Sequence, residues 1–93
     1  MDIQASIEYG VKWNGRYLRP SKHAIREMIQ LGMDLYDVVD ILDNKDAEDH
    51  PRGKDTIEKI LKVGKTIYNV VVMESYAYDI DEDIWLILHV GGK

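Results

Sequence analysis

Residues 3–13 alternate apolar or small side chains with mostly polar ones, and the dipeptide formed by Asn14 and Gly15 follows directly. Strict alternation places every second side chain on one face, which is typical of a β-strand with one buried face. Asn-Gly is the pair best suited to the positive φ angles of a type I′ turn. The sequence therefore predicts an N-terminal β-hairpin whose second strand is RYLR, residues 16–19, with Arg16 opposite Trp13.

After the hairpin, the spacing of apolar residues changes to the helical interval of three to four. Pro20 ends the strand, and the Ser21 hydroxyl is suited to cap a helix. Gly32 supplies the left-handed residue that commonly ends a helix. We therefore predict a first helix over residues 22–31 with three buried positions, Ile25, Met28 and Ile29.

A second helix is predicted to begin after Asp34, which is suited to cap it. Its apolar stripe consists of Leu35, Val38, Val39 and Leu42. The acids at every third position, Asp37, Asp40 and Asp43, then lie on the opposite side and are interpreted first as a solvated face.

The rest of the chain contains β-like segments. Residues 43–53 carry turn-forming residues without apolar periodicity, so we expect an exposed loop there. Strands are predicted over 56–63, 66–76 and 84–90, joined by a tight turn at Gly64 and by an acidic turn. The predicted fold class is α+β: an N-terminal β-hairpin, an αα-hairpin and an antiparallel three-stranded meander.

Length and composition exclude several kinds of protein. A chain of 93 residues fits one domain, residues 1–93, and it contains no cysteine, so disulfides and thiolate chemistry are excluded. No apolar run approaches the roughly 18 to 20 residues that cross a bilayer. The N-terminus lacks the order of a signal peptide. We therefore expect a cytoplasmic protein without membrane contact.

Charge is segregated along the chain. The formal net charge of −5 argues against indiscriminate binding of polyanions. Residues 34–50 and 74–83 are strongly acidic, however, whereas residues 11–26 contain no acid. The basic side chains of that last segment form a candidate nucleic-acid-binding patch, which consists of Lys12, Arg16, Arg19, Lys22 and Arg26.

The run SKHAIREMIQLGMDLYDVVDIL, residues 21–42, resembles the helical-hairpin signature of a small bacterial and archaeal family of unknown function related to the RelE, ParE and BrnT toxins. The matching positions are His23, Met28, Gly32, Asp34, Asp37 and Val38. With the β-meander, the resemblance covers most of residues 19–93 and implies a RelE-like fold. Glu27 and Leu31 depart from it, because they stand where the family has arginines that would hold an RNA phosphate.

What the resemblance implies is cleavage of RNA, free or on the ribosome, by attack of the 2′-hydroxyl on the adjacent phosphate without a metal or other cofactor. Such a reaction needs a base, an acid and cations. His23 and His89 could transfer the protons, and three cations could clamp the phosphate: Lys22, Arg26 and Arg52. Glu27, four residues after His23, could hold its imidazole in one tautomer. The implied partner is an antitoxin-like protein.

Other interpretations compete with catalysis. His23 lies in a first helical turn, where a structural histidine is ordinary, and His89 lies in an apolar strand on the face of Trp85 and Ile87, where it could bond to the backbone. His50 with its acidic neighbours, and the acids of residues 79–83, could each bind a divalent metal. The alternative function is a non-catalytic interaction or regulatory module, which could bind a partner protein or a second copy of the chain.

Overall fold

Six strands form a single sheet in the part of the chain that the computed structural model describes, residues 10–93. The strands are β1 (Lys12–Trp13), β2 (Arg16–Pro20), β3 (Glu48–Gly53), β4 (Thr56–Val63), β5 (Thr66–Ala77) and β6 (Glu82–Gly92). The helices are α1 (Lys22–Leu31) and α2 (Leu35–Asp43). Across the sheet the strand order is β1-β2-β6-β5-β4-β3, so the earliest described strands lie beside the last one.

The predicted architecture, a separate hairpin and a three-stranded meander flanking two helices, is wrong. Strand β2 pairs in parallel with β6, with Leu18 opposite Trp85, so the hairpin joins the same mixed sheet as the later strands. Residues 48–53, predicted to be loop, form β3 and pair antiparallel with β4. The remaining pairings, β1 with β2, β4 with β5 and β5 with β6, are antiparallel.

Both departures have physical reasons. A two-stranded hairpin is at best marginally stable alone, and pairing with β6 lets Leu18 become almost fully buried. Strand β3 is rich in charges because it is an edge strand, where charged side chains protect the free backbone groups from further pairing. Its sequence therefore shows no apolar alternation. The turn at Asn14 and Gly15 does form, and Trp13 pairs with Arg16 as expected. The first predicted strand covers residues 3–13. Of these, residues 3–9 lie outside the described chain, and Lys12–Trp13 form β1.

Both helices pack on one face of the sheet, here called the helix face. Its core includes residues from every strand except β3, together with both helices. The largest side chains that are fully buried are Met28, Leu35, Ile87, Val38, Val70, Val72 and Val90. Neither helix in residues 10–93 is long and apolar enough to span a bilayer.

The caps of both helices form as the sequence predicts. The Ser21 hydroxyl accepts from the Ala24 backbone N–H, and Gly32 has a φ of 67°. Asp34 and Asp37 form a reciprocal capping box at the start of α2. The predicted buried face of α1 is partly wrong, because Ile29 is 63% exposed.

The contact of α1 with β6 explains that error. Ala24 and Met28, four residues apart, are both fully buried, so their stripe faces the sheet. This orientation turns Ile29 toward solvent and brings Glu27 to the edge of β6, where it accepts from the Val90 backbone N–H at 3.0 Å.

Strand β6 carries one extra residue, Leu88, relative to β5. Ile87 pairs with Val72 and His89 pairs with Val71. Because Val71 and Val72 are consecutive, their side chains point to opposite faces of the sheet. The bulge therefore turns His89 away from the helix face, which contains Ile87. The expectation that His89 shares the face of Ile87 is wrong, and His89 lies on what we call the second face.

Candidate functional site

Two histidines that are far apart in the sequence meet at one carboxylate. His89 Nδ1 lies 2.7 Å from Glu27 Oε2, and His23 Nε2 lies 3.3 Å from Glu27 Oε1. The two imidazole rings stack at 6.1 Å between centroids with an interplanar angle of 20°. We call these three residues the His–Glu–His cluster.

The fold places each member of the cluster through a backbone feature. His23 and Glu27 are four residues apart on α1, so they share one helix face. Strand β2 ends at Pro20, opposite Ile87, and the N–H of Ser21 bonds to the Ile87 carbonyl. Beyond that point, within residues 10–93, the Glu27 carboxylate and not a strand accepts from the edge of β6, at the Val90 N–H. The bulge in β6 brings His89 against Glu27.

The cluster has the composition and spacing of a metal-binding site. Its three side chains each offer a ligand atom, and these atoms lie within 4.8 Å of one another. In residues 10–93 no other group of three such side chains meets this criterion. The side chain of Glu27 is 18% exposed and that of His23 is 68% exposed, so the cluster is anchored at Glu27 and open to solvent at His23.

A groove of about 430 Å³ begins at the cluster and continues along the end of the sheet. Glu27 and His89 are among its lining residues, and Leu31, Ile60 and Ile67 provide apolar surface. The volume lies in the range of small-molecule sites in proteins, roughly 300 to 1,000 Å³. A small ligand could therefore contact the cluster from the groove.

A second polar network, here called the Arg52 network, lies next to the groove on the second face. Arg52 Nε donates to Glu58 Oε1 at 2.9 Å, and Asn69 Nδ2 donates to Glu58 Oε2 at 3.2 Å. Glu58 is 8% exposed. The Arg52 hydrogen bond lowers the pKa of Glu58, and burial opposes that effect, while Asn69 and the charges of Arg52 and His50 support it.

Glu58 should make the folded protein sensitive to acid. Because its pKa is lowered by folding, its stabilising contribution is complete above the pKa of an unfolded glutamate, about 4.3, and is lost as the pH falls through the lowered value. As the pH is lowered through this range, we expect the urea midpoint of unfolding to fall less steeply in Glu58→Gln than in the wild type. An unchanged pH dependence in the variant would contradict the assignment.

Gly91 lies between the cluster and the Arg52 network. A side chain at this position would collide with Asn69 Oδ1, and its Cβ would lie 3.1 Å from His89 Nε2. These two atoms therefore border the same small space above the Gly91 backbone. Within residues 10–93 neither atom has a hydrogen-bond partner.

The structure brings together only some of the residues predicted to form the site. The rings of His23 and His89 stack, and Arg26 lies three residues after His23 on the surface of α1. Arg52 is bound to Glu58 at 2.9 Å, and within residues 10–93 it forms no side-chain hydrogen bond with His23 or His89.

The predicted nucleic-acid-binding patch is largely engaged elsewhere. Arg16 pairs with Glu74 at 2.9 Å and Arg19 pairs with Asp79 at 2.7 Å. Lys12 lies over the Tyr17 ring. Lys22 and Arg26 are exposed, and within residues 10–93 they form no ion pair or side-chain hydrogen bond.

Some functional positions could not be identified from the sequence. Glu27 was expected to orient His23, but its contact with His89 depends on the pairing of α1 with β6. Asn69 and Glu58 gave no signal, because isolated polar residues in strands are ordinary. The two acidic segments considered for metal binding do not gather three ligands in the described chain. Within residues 10–93 the His50 side chain forms one ion pair, with Glu48 at 3.5 Å.

Comparison of the chain with protein-family models, curated protein sequences and solved structures finds no match. The resemblance of residues 21–42 to the toxin-related family therefore stays a prediction.

Proposed function

We propose that the protein binds a divalent transition-metal ion through His23 Nε2, Glu27 and His89 Nδ1. The observation that carries the proposal is the convergence of two imidazoles and a carboxylate from α1 and β6 within 4.8 Å. Glu27 contacts both imidazoles and is itself fixed by the Val90 N–H. Such fixation of a ligand by an outer hydrogen bond is general in metal sites.

The donor set favours particular ions. Imidazole nitrogen suits Zn²⁺, Ni²⁺, Cu²⁺ and Fe²⁺, whereas Mg²⁺ and Ca²⁺ prefer oxygen ligands. Two histidines and one carboxylate are the ligands of several catalytic zinc centres and of non-haem iron centres. We therefore expect Zn²⁺ to bind and Mg²⁺ to leave the cluster unchanged.

Three protein ligands leave coordination positions for water or a substrate, which distinguishes catalytic from structural zinc sites. When bound, an ion of this kind polarises a substrate oxygen and lowers the pKa of its water. Lys22 and Arg26 lie beside His23 without acidic partners in the described chain. Their charge would attract an anionic substrate toward the groove.

The test is a calorimetric titration of the protein, prepared without a polyhistidine tag, with Zn²⁺ and separately with Mg²⁺. We expect one Zn²⁺ per chain, proton release on binding, and no heat from Mg²⁺. His50→Ala is the matched control, because His50 is an exposed imidazole beside a carboxylate outside the cluster. Absence of Zn²⁺ binding, or its loss in the His50 variant, would refute the proposal.

A second candidate is RNA cleavage without a metal, as the resemblance implies, with the two imidazoles acting directly on the phosphate. It is supported by the stacking of His23 and His89 and by the charges of Lys22 and Arg26, which have no ion-pair partner within residues 10–93. RNA cleavage that persists in excess EDTA would favour this candidate. RNA cleavage that requires Zn²⁺ would indicate that metal binding and RNA cleavage both occur at the His–Glu–His cluster.

We also propose an antitoxin-like protein as a partner, as the resemblance implies. A second copy of the chain is the alternative partner, and a cytoplasmic location fits a sequence without cysteine. The segregation of acidic and basic segments supports a charged protein partner. Growth arrest on expression of this chain alone, relieved by a neighbouring gene, would favour a toxin system over a freely expressed binding module.

A further inference from the structure

We infer that the Arg52 network positions His89 as a metal ligand, with Asn69 Oδ1 accepting the N–H of His89 Nε2 when the ion is bound. The inference rests on the proposed function, because it concerns the metal-bound form of the cluster. It assigns roles to Arg52, Glu58 and Asn69, none of which touches the ligand atoms.

The tautomer of His89 follows from which nitrogen faces the cluster. His89 Nδ1 is the nitrogen beside Glu27, so it must supply the lone pair to an ion bound there. A neutral imidazole that coordinates through Nδ1 carries its proton on Nε2. Ligand histidines almost always donate this second N–H to an acceptor, which fixes the ring and increases the basicity of the ligand nitrogen.

Asn69 presents an acceptor in the right place. Its Nδ2 donates to Glu58, so the amide is oriented with Oδ1 away from Glu58. Oδ1 borders the space above Gly91 that His89 Nε2 also borders. The bond to Glu58 thus determines that His89 meets an oxygen and not an NH₂ group.

Arg52 keeps Glu58 ionised, and the ionised carboxylate sets the orientation of the Asn69 amide. A carboxylate only accepts hydrogen bonds, whereas a protonated acid or an amide can also donate one. The ion pair with Arg52, at 2.9 Å, favours the carboxylate. With Glu58→Gln, the new amide N–H could donate to Asn69 Oδ1 and reverse the Asn69 amide.

Gly91 is required for the approach of Asn69 to His89. A methyl group there would occupy the shared space and displace Asn69 Oδ1. The backbone of Gly91 does not lie in the left-handed region, so Gly91→Ala tests the space and introduces no backbone strain.

The experiment measures Zn²⁺ affinity in three variants: Asn69→Ala, Glu58→Gln and Gly91→Ala. We expect each to weaken binding by about 10- to 100-fold, the usual effect of removing an outer partner of a ligand histidine. Glu74→Gln is the matched control, because it removes a carboxylate that pairs with Arg16 at the same 2.9 Å but lies away from the cluster. Thermal melts show whether each variant is folded at the titration temperature.

A second readout separates positioning from a general loss of structure. In the Zn²⁺-loaded protein, the His89 Nε2–H should give a slowly exchanging NMR signal that disappears in Asn69→Ala. Zn²⁺ binding by the wild type with unchanged affinity in all three variants would overturn this inference and leave the metal site standing. Absence of binding by the wild type would overturn both.

Discussion

Leu42→Asp is expected to prevent folding. Leu42 is 3% exposed and packs in the core between α2 and the sheet. Placing a carboxylate there without a partner costs several kcal/mol, which is comparable to the whole stability of a typical domain, about 5 to 15 kcal/mol. Far-UV circular dichroism should show a chain without a cooperative thermal transition.

Asp40→Ala is the control for this substitution, because Asp40 is exposed on the same helix and, within residues 10–93, has no ion pair or side-chain hydrogen bond. It should melt within a few degrees of the wild type, since surface changes of this kind are usually within about 0.5 kcal/mol. A folded Leu42→Asp variant, or an unfolded Asp40→Ala variant, would show that the assigned faces of α2 are wrong.

Glu27→Gln is expected to abolish metal binding with little change in stability. An amide oxygen can still accept the Val90 N–H, but the charge and a strong ligand atom are lost. We expect the Zn²⁺ affinity to fall by more than about a hundredfold, beyond the effect of losing an outer partner. Calorimetric titration and a thermal melt of the same sample measure both effects.

Glu27→Ala separates the two roles of the carboxylate. It also leaves the buried Val90 N–H without its acceptor, which should cost about 1 to 3 kcal/mol of unfolding free energy. Glu48→Gln is the control, because Glu48 lies beside His50 as Glu27 lies beside His23. Wild-type Zn²⁺ affinity in Glu27→Gln would exclude Glu27 as a ligand.

Local signals in the sequence predicted local structure well. The caps at Ser21, Gly32 and Asp34 lie where hydroxyl, glycine and carboxylate chemistry requires them. The pairing of β2 with β6 could not be predicted, because it joins residues 67 positions apart, such as Leu18 and Trp85, and depends on which sheet edge is available. The sequence does not predict strand β3 for a related reason. Its position at the sheet edge favours charged side chains, so it lacks the apolar alternation by which a strand is predicted.

The candidate site shows the same difference between local features, which the sequence predicts, and long-range contacts, which it does not. His23 and His89 are the proton-transfer groups of the reaction that the resemblance implies. Their contact depends on the bulge in β6, which the alternation of apolar residues does not reveal. A bulge of one residue at Leu88 changes which face His89 occupies. By the resemblance, Glu27 replaces an arginine that would hold an RNA phosphate, but in the structure it is the residue that joins both histidines.

The parallel pairing of β2 with β6 has a consequence for synthesis on the ribosome. Strand β2 is made early, but its partner follows only after both helices and three further strands. Until β6 emerges, Leu18 and the buried stripe of α1 lack the surface that covers them. We therefore expect the nascent chain to stay unfolded or chaperone-bound until β6 leaves the exit tunnel, and then to fold slowly, as long-range parallel pairing requires.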